Sequence, residues 1–341
     1  MSFAATITNA AERHNIPDSL LRLGIGQFVA RTDRSLARNP VETMAFAQDM
    51  TGFPIAVHTG DANRQHYELP PEFFGLILGP RRKYSCCLYP TGRETLAEAE
   101  LLALEKTAAR AELADGQEIL ELGCGWGSLT LFMAQRFPGA RITAVSNSTP
   151  QRLYIEGQAA ALGLGNLRVI TADMNEFQPD QTFQRVVSVE MFEHMANWRS
   201  LLGRVCSWLA PGGKLFIHVF THAASPYRFN HFDDADWIAQ HFFTGGIMPS
   251  HGLAGAFPDL FTIERDWRWS GTHYARTAED WLRNYDLHAQ EIRRLLAQVY
   301  GAEAFTWERR WRLFFLATAG LFGHGGGEPW GVSHYLLNPA T

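Results

Sequence analysis

The sequence predicts an α/β protein: a largely parallel sheet covered by helices on both faces, with a helical region before it and a long insert late in the chain. Three observations lead there. From about residue 93, short apolar or β-branched runs alternate with helix-length stretches. A glycine triplet (Gly123, Gly125, Gly127) stands where the first of those runs gives way to a helix. The 341 residues are 46% hydrophobic and 19% charged, a globular balance with length for one large domain or two modest ones.

The elements run in order. Ala4–His14 reads as a helix, Pro17 and Asp18 open a second that runs through Leu36, and Pro40–Thr51 is a third; a proline early in a helix costs no hydrogen bond. Thr59–Gly92 reads as an irregular connector, so residues 1–92 form a helical N-terminal region and 93–341 the main domain. Strands are expected at Glu118–Leu122, Arg141–Ser146, Leu167–Ala172, Arg185–Val189 and Lys214–Phe220. Helices at Leu129–Gln135, Gln151–Leu162 and Arg199–Leu209 separate them, as βαβ units require. Late strands at Phe261–Trp267 and Val332–Leu337 flank helical patterns at Ala278–Val299 and Phe305–Leu321. The insert at 221–258, rich in aromatics, His and Asp, is placed to be a lid or substrate wall.

Composition excludes several classes. A net charge of −5 argues against nucleic acid as partner, because phosphate binding needs a concentrated basic face. The one basic run, Arg81-Arg82-Lys83, reads as a solvated turn or local anion contact. No stretch of about 18 apolar residues suggests a transmembrane segment, and the N-terminus lacks a secretory pattern. Four cysteines, two of them adjacent (Cys86, Cys87), give neither a disulfide framework nor metal-ligand spacing. The expectation is a cytoplasmic, reduced protein without metal; a homodimer is left open.

In open α/β sheets, ligands sit beyond the carboxyl ends of the strands, where strand order reverses. Glu121-Leu-Gly123-Cys-Gly125-Trp-Gly127 lies there, and glycine lets backbone approach a ligand closely. On its own, such a triplet signals equally a tight strand-to-helix turn. Its G-x-G-x-G spacing differs from the G-x-G-x-x-G of dinucleotide sites. Asp173, closing the third strand, suits an adenine amino group or a helix N-cap.

The order ELGCGWG, AVSNS, TADM, SVEMFEHM and APGG resembles the class I S-adenosylmethionine-dependent methyltransferases. The resemblance implies a Rossmann-like sheet of seven strands with the last antiparallel, and S-adenosyl-L-methionine as cofactor. Members usually end the second strand with an acidic residue, whereas this chain has Ser146-Asn147-Ser148. Asn147 and Gln151 offer neutral amides for the ribose instead, a departure that resembles the cyclopropane fatty acid synthase branch.

After the fourth strand comes Glu190-Met-Phe-Glu193-His194-Met195. If helical, it puts Glu190, Glu193 and His194 at i, i+3 and i+4 on one face; a helix start merely favouring acidic residues is the plainer reading. Methylating an amine needs a free lone pair, so an ammonium must first lose its proton, and a carboxylate with an imidazole suits that task. HYELPPEFF (66–74), YSCC (84–87), VEMFEHM (189–195), FFTGGIMPS (242–250) and HYARTAEDW (273–281) resemble coclaurine-type N-methyltransferases of the cyclopropane synthase superfamily.

That resemblance implies Glu193 and His194 as the base pair, Glu190 as a further pocket carboxylate, and Tyr84, Ser85 and Cys86 near the cofactor's methionine end. Cofactor contacts are expected from Ser85, Gly123, Gly125, Asn147, Gln151 and Asp173. In the lipid enzymes of the superfamily a bicarbonate ion takes the proton, and the matching positions are Cys86, Glu193, His218 and Tyr274. From the residues alone, His218 and Tyr274 read as well as hydrogen-bonded core. The aromatic residues Phe229, Phe232, Trp237, Phe242, Phe243, Trp330 and Tyr335 are candidate substrate contacts, suited to cation–π holding of an ammonium.

The expected function is S-adenosylmethionine-dependent methyl transfer to a small nucleophilic molecule, foremost an amine nitrogen. The alternatives are a small thiol, or the unsaturated acyl chains of phospholipid with bound bicarbonate. A cofactor-binding protein without catalysis is the third.

Overall fold

The computed structural model describes residues 3–57, 69–233 and 236–340. In chain order the strands are β1 (Glu118–Leu122), β2 (Arg141–Ser146), β3 (Leu167–Thr171), β4 (Phe183–Val189), β5 (Leu209–His222), β6 (Tyr227–Arg228), β7 (Ile247–Met248), β8 (Phe261–Ser270) and β9 (Trp330–Pro339). Seven of them form one sheet in the order β3-β2-β1-β4-β5-β9-β8. Strands β1 to β5 pair in parallel, whereas β9 runs antiparallel between β5 and β8. The last strand is therefore the antiparallel one, as expected. Burial tracks position: the last four residues of central β1 are buried, while edge strand β3 has no buried residue.

The helices are α1 (Phe3–Arg13), α2 (Asp18–Arg38), α3 (Thr43–Asp49), α4 (Pro71–Ile77), α5 (Leu96–Arg110), α6 (Ser128–Arg136), α7 (Thr149–Leu162), α8 (Trp198–Trp208), α9 (Trp237–His241), α10 (Gly271–Leu287), α11 (Ala289–Tyr300) and α12 (Ala304–Gly323). Sequence chemistry sets several ends. A reciprocal capping box, Thr95 with Glu98, starts α5. Ser148 caps α7, and Gly163 in the left-handed region ends it.

Two expectations need correction. Part of the presumed irregular connector (residues 59–68) lies outside the described residues, but the segment just beyond it forms α4, with Pro71 in its first turn. The single helix expected over Ala278–Val299 is two, broken at His288 (φ −103°, ψ 21°). The break lets both α10 and α11 pack along α12.

The N-terminal region divides its attachments. Helices α1 and α2 pack on α12, where Arg310 pairs with Glu12 and Arg312 with Asp18 and Asp286. The stretch after α3 instead straps the loop beyond β4: Ile55 O accepts from Ala196 N at 2.7 Å. Ala56 exchanges two bonds of 3.0 Å with the Asn175 side chain. In the insert, β6 and β7 form a small antiparallel ribbon with α9 between them in sequence. No helix among the described residues is long and apolar enough to cross a membrane.

Candidate active site

Because β1 to β3 run one way across the sheet and β4 and β5 the other, strand order reverses between β1 and β4. A cleft with about 1260 Å³ of empty space, partly open to solvent, lies at their carboxyl ends. The loops after β1, β2, β3 and β4 wall it, together with Ala56, Val57 and residues 82–85 from the N-terminal region and Thr244 from the insert.

Gly123, Gly125 and Gly127 all have positive φ (80°, 51° and 79°), and the N–H groups of Gly123 and Cys124 both bond Val145 O. The turn is thus tied to β2 in a conformation that suits glycine. A Cβ on Gly123 would lie 2.7 Å from Met191 Cβ and Cγ. Gly123→Ala is expected to weaken S-adenosylhomocysteine binding at least about tenfold, measured by calorimetry, because the turn or the Met191 loop must shift.

All six residues expected at the cofactor, Ser85, Gly123, Gly125, Asn147, Gln151 and Asp173, line this cleft. Ser146 Oγ donates to Gln151 Oε1 at 2.7 Å, which orients the amide and leaves Gln151 Nε2 buried without a partner among the described residues. Thr107 Oγ1, Trp126 Nε1 and Ser128 Oγ on the same walls are likewise unpartnered. Buried polar atoms are rarely left so. A ligand carrying purine, hydroxyl and amino-acid groups fits that set of open donors, and S-adenosylmethionine carries all three. Asp173 serves locally as well, since its Oδ1 accepts from Asn175 N. Glu121, buried beneath the turn, has its carboxyl pushed up to about 7 by desolvation, opposed by the Thr130 hydroxyl it accepts from.

The loop after β4 departs from the expected helix. Only Phe192–His194 forms a single 3-10 turn, and Glu190 before it sits in the left-handed region at φ 48°. Glu190 therefore shares no helix face with Glu193 and His194. Its N–H bonds His218 O at 2.8 Å, and its carboxylate points the other way. Oε1 accepts from Cys86 N–H at 2.9 Å and lies 3.2 Å from His218 Nε2; Oε2 accepts from the Tyr274 hydroxyl at 2.6 Å. Burial raises its pKa, opposed chiefly by the Lys83 ammonium and then by those donors. Burial holds His218 neutral, well below its usual range.

Glu193 is 1% exposed, and its Oε2 has no partner among the described residues. Desolvation, then the nearby Glu190 charge, push its pKa well above the usual carboxylate range. His194 stands on the cleft wall, its ring stacked on Phe243 at 5.2 Å and 4°. Tyr84 lines the cleft too, edge-on to Phe74.

Other aromatic candidates lie elsewhere. Phe232 is 83% exposed, on the outer surface of the insert. Trp237 is buried against Glu12, to which its Nε1 donates, and Trp330 donates to the Tyr227 hydroxyl inside the core. Aromatic content alone does not separate wall from core. Lys83 moves in the opposite direction: expected in a solvated turn or at a local anion contact, it is 2% exposed and lines the cleft. Neighbouring Arg82, at φ 49°, turns the chain there, a feature that leaves no signal in residue type.

The family model for mycolic acid cyclopropane synthetase matches residues 57–327, which takes in every residue of the cleft wall except Ala56. The chain belongs to that family. As a mycolic acid cyclopropane synthetase family member it is an S-adenosylmethionine-dependent methyltransferase with the class I fold. Among relatives of this family member, the (S)-coclaurine N-methyltransferase of Thalictrum flavum subsp. glaucum is 33% identical over 332 residues, 94% of this chain and 92% of its own. The cyclopropane-fatty-acyl-phospholipid synthase of Escherichia coli (strain K12) is 24% identical over 266 residues, 74% and 66% of the two chains. The crystal structure of a coclaurine N-methyltransferase bound to N-methylheliamine and S-adenosylhomocysteine superposes with a TM-score of 0.92 at 32% identity, covering 98% of this chain and 99% of that one.

Bicarbonate fits this member of the family poorly. Of the four residues expected to hold it, Cys86, His218 and Tyr274 all converge on the Glu190 carboxylate, and the fourth, Glu193, is itself a carboxyl. The space and donors an anion would use are filled by a side chain of the chain itself.

Proposed function

We propose that this methyltransferase acts on the nitrogen of a small, partly aromatic amine. The observation that carries the reading is Glu190, a covalently attached carboxylate seated in the ring of donors that would otherwise receive an anion. Further support comes from the relatives named for N-methylation. In this reading, bound S-adenosylmethionine supplies the electrophilic methyl group.

The residues supply the rest. Glu190, whose ionised form is favoured by the Lys83 charge, Tyr274 and Cys86 N–H against the burial that raises its pKa, draws an ammonium into the cleft. The Glu193–His194 pair takes its proton and frees the lone pair for in-line attack. A carboxyl whose pKa is raised is the stronger base once ionised, and an arriving cation favours that ionisation. Phe243 and Tyr84 give the amine's carbon skeleton aromatic surface. The four cysteines are free, three of them buried, which suits a reducing cytoplasm.

Release of S-adenosylhomocysteine is the test, with cyclic and aromatic amines, small thiols and unsaturated phospholipid vesicles offered separately. Turnover is expected with amines. Turnover confined to thiols or vesicles would overturn the nitrogen assignment and leave the cofactor site standing.

A further inference from the structure

Lys83 has a built environment of which the proposed mechanism uses only the charge. The loop that carries it is wrapped around a buried carboxylate: Glu100 accepts from Arg81 N–H at 2.9 Å and Lys83 N–H at 3.1 Å. That backbone pairing engages Glu100, which also feels the Lys83 charge, while Lys83 itself lines the cleft. There Nζ donates to Ser85 Oγ (2.5 Å) and to Cys86 O (2.7 Å). Both acceptors are uncharged.

An ammonium has three donors, and two are used. No carboxylate among the described residues forms an ion pair with Nζ; Glu100 and Glu190 are near enough for their pKa values to feel the charge, yet Glu100 is engaged by backbone N–H groups and Glu190 by Cys86, His218 and Tyr274. A buried charge without a directly bonded counter-ion is costly, and native structures tend to pair it. Lys83 lies at the end of the cleft formed by Ser85 and Glu190, whereas Asn147, Gln151 and Asp173 form the part beyond β2 and β3. A ligand with its purine among the latter brings its amino-acid end toward Lys83, and that end carries a carboxylate.

We propose that Lys83 receives the α-carboxylate of the cofactor, as a cofactor-binding residue with its third N–H. The same contact would make it a selector: an adenosyl thioether without the amino-acid group gains nothing from it. Ser85 and Cys86 O act in this arrangement to hold the ammonium in place.

The test is a pair of calorimetric titrations, S-adenosylhomocysteine and 5′-methylthioadenosine, on the native enzyme and on Lys83→Met. The two ligands share the adenosine and the thioether, and only the first has the carboxylate. Lys83→Met is expected to weaken S-adenosylhomocysteine at least about tenfold, the scale of one charge-assisted hydrogen bond, and to leave methylthioadenosine within about twofold. Equal weakening of both ligands would assign Lys83 to supporting the loop and overturn the proposal; so would unchanged binding of both. Should Lys83→Met fail to fold, Lys83→Gln, which keeps a donor for Ser85 and loses the charge, is read by the same two ligands and the same criteria.

Discussion

Glu193→Gln turns over at least about a hundredfold more slowly than the native enzyme, while binding S-adenosylhomocysteine as before. Glutamine keeps the shape of the buried side chain and removes its capacity to take a proton. The pH profile carries the sign. Burial and the Glu190 charge raise the Glu193 pKa in the folded enzyme, and its ionised form is the base. The acid limb of kcat/KM therefore lies above the ordinary carboxylate range: activity is lost as pH falls through the raised pKa and gained as pH rises through it. Glu193→Gln should flatten that limb. Undiminished turnover in the variant would remove Glu193 from the mechanism.

Glu190→Gly lowers turnover of the amine at least about tenfold, and added formate or bicarbonate restores part of it. A left-handed backbone costs a non-glycine residue roughly 1–2 kcal/mol, so glycine at φ 48° is accommodated without strain and the fold should hold. What the change removes is the acceptor for Cys86 N–H and the Tyr274 hydroxyl, leaving a carboxylate-sized space ringed by donors. A small carboxylate fits that space, whereas chloride offers no second oxygen for Tyr274. Full activity without any anion would show that Glu190 has no role in drawing the substrate, and a loss that no anion relieves would show that the donor ring does not bind one.

Much of the fold was legible because the signals are local and repeated. Each of β1 to β4 is a short run built on apolar or β-branched residues, and the structure places it within about two residues of the expected limits. Strand β5 is longer than expected, Leu209–His222 against Lys214–Phe220, because its pairing with β4 resumes on both sides of a register shift that periodicity does not encode. The break at His288 is hidden for a similar reason: apolar spacing continues through it, and only packing on α12 needs it.

At the site, the cofactor candidates come to one cleft because glycines and strand ends mark the switch point in any such sheet. Glu190 and Lys83 were harder. A residue's backbone hand and the direction of a side chain within a loop are set by tertiary contacts, here His218 O for Glu190 and Glu100 for the Lys83 loop. A basic triplet reads as surface until the chain turns one of its members inward. Phe232 and Trp237 show the converse, since an aromatic residue in the insert can face solvent, core or cleft alike.

The most direct measurement tracks the methyl group itself. S-adenosylmethionine with an isotopically labelled methyl is supplied to the native enzyme in carbonate-free buffer, with a pool of cyclic secondary amines and unsaturated phospholipid vesicles present together, and the products are read by NMR. The label is expected on nitrogen, as an N-methyl group, at a rate that added bicarbonate leaves unchanged. Label found only in the acyl chains, and only once bicarbonate is supplied, would contradict both the nitrogen assignment and the role given to Glu190.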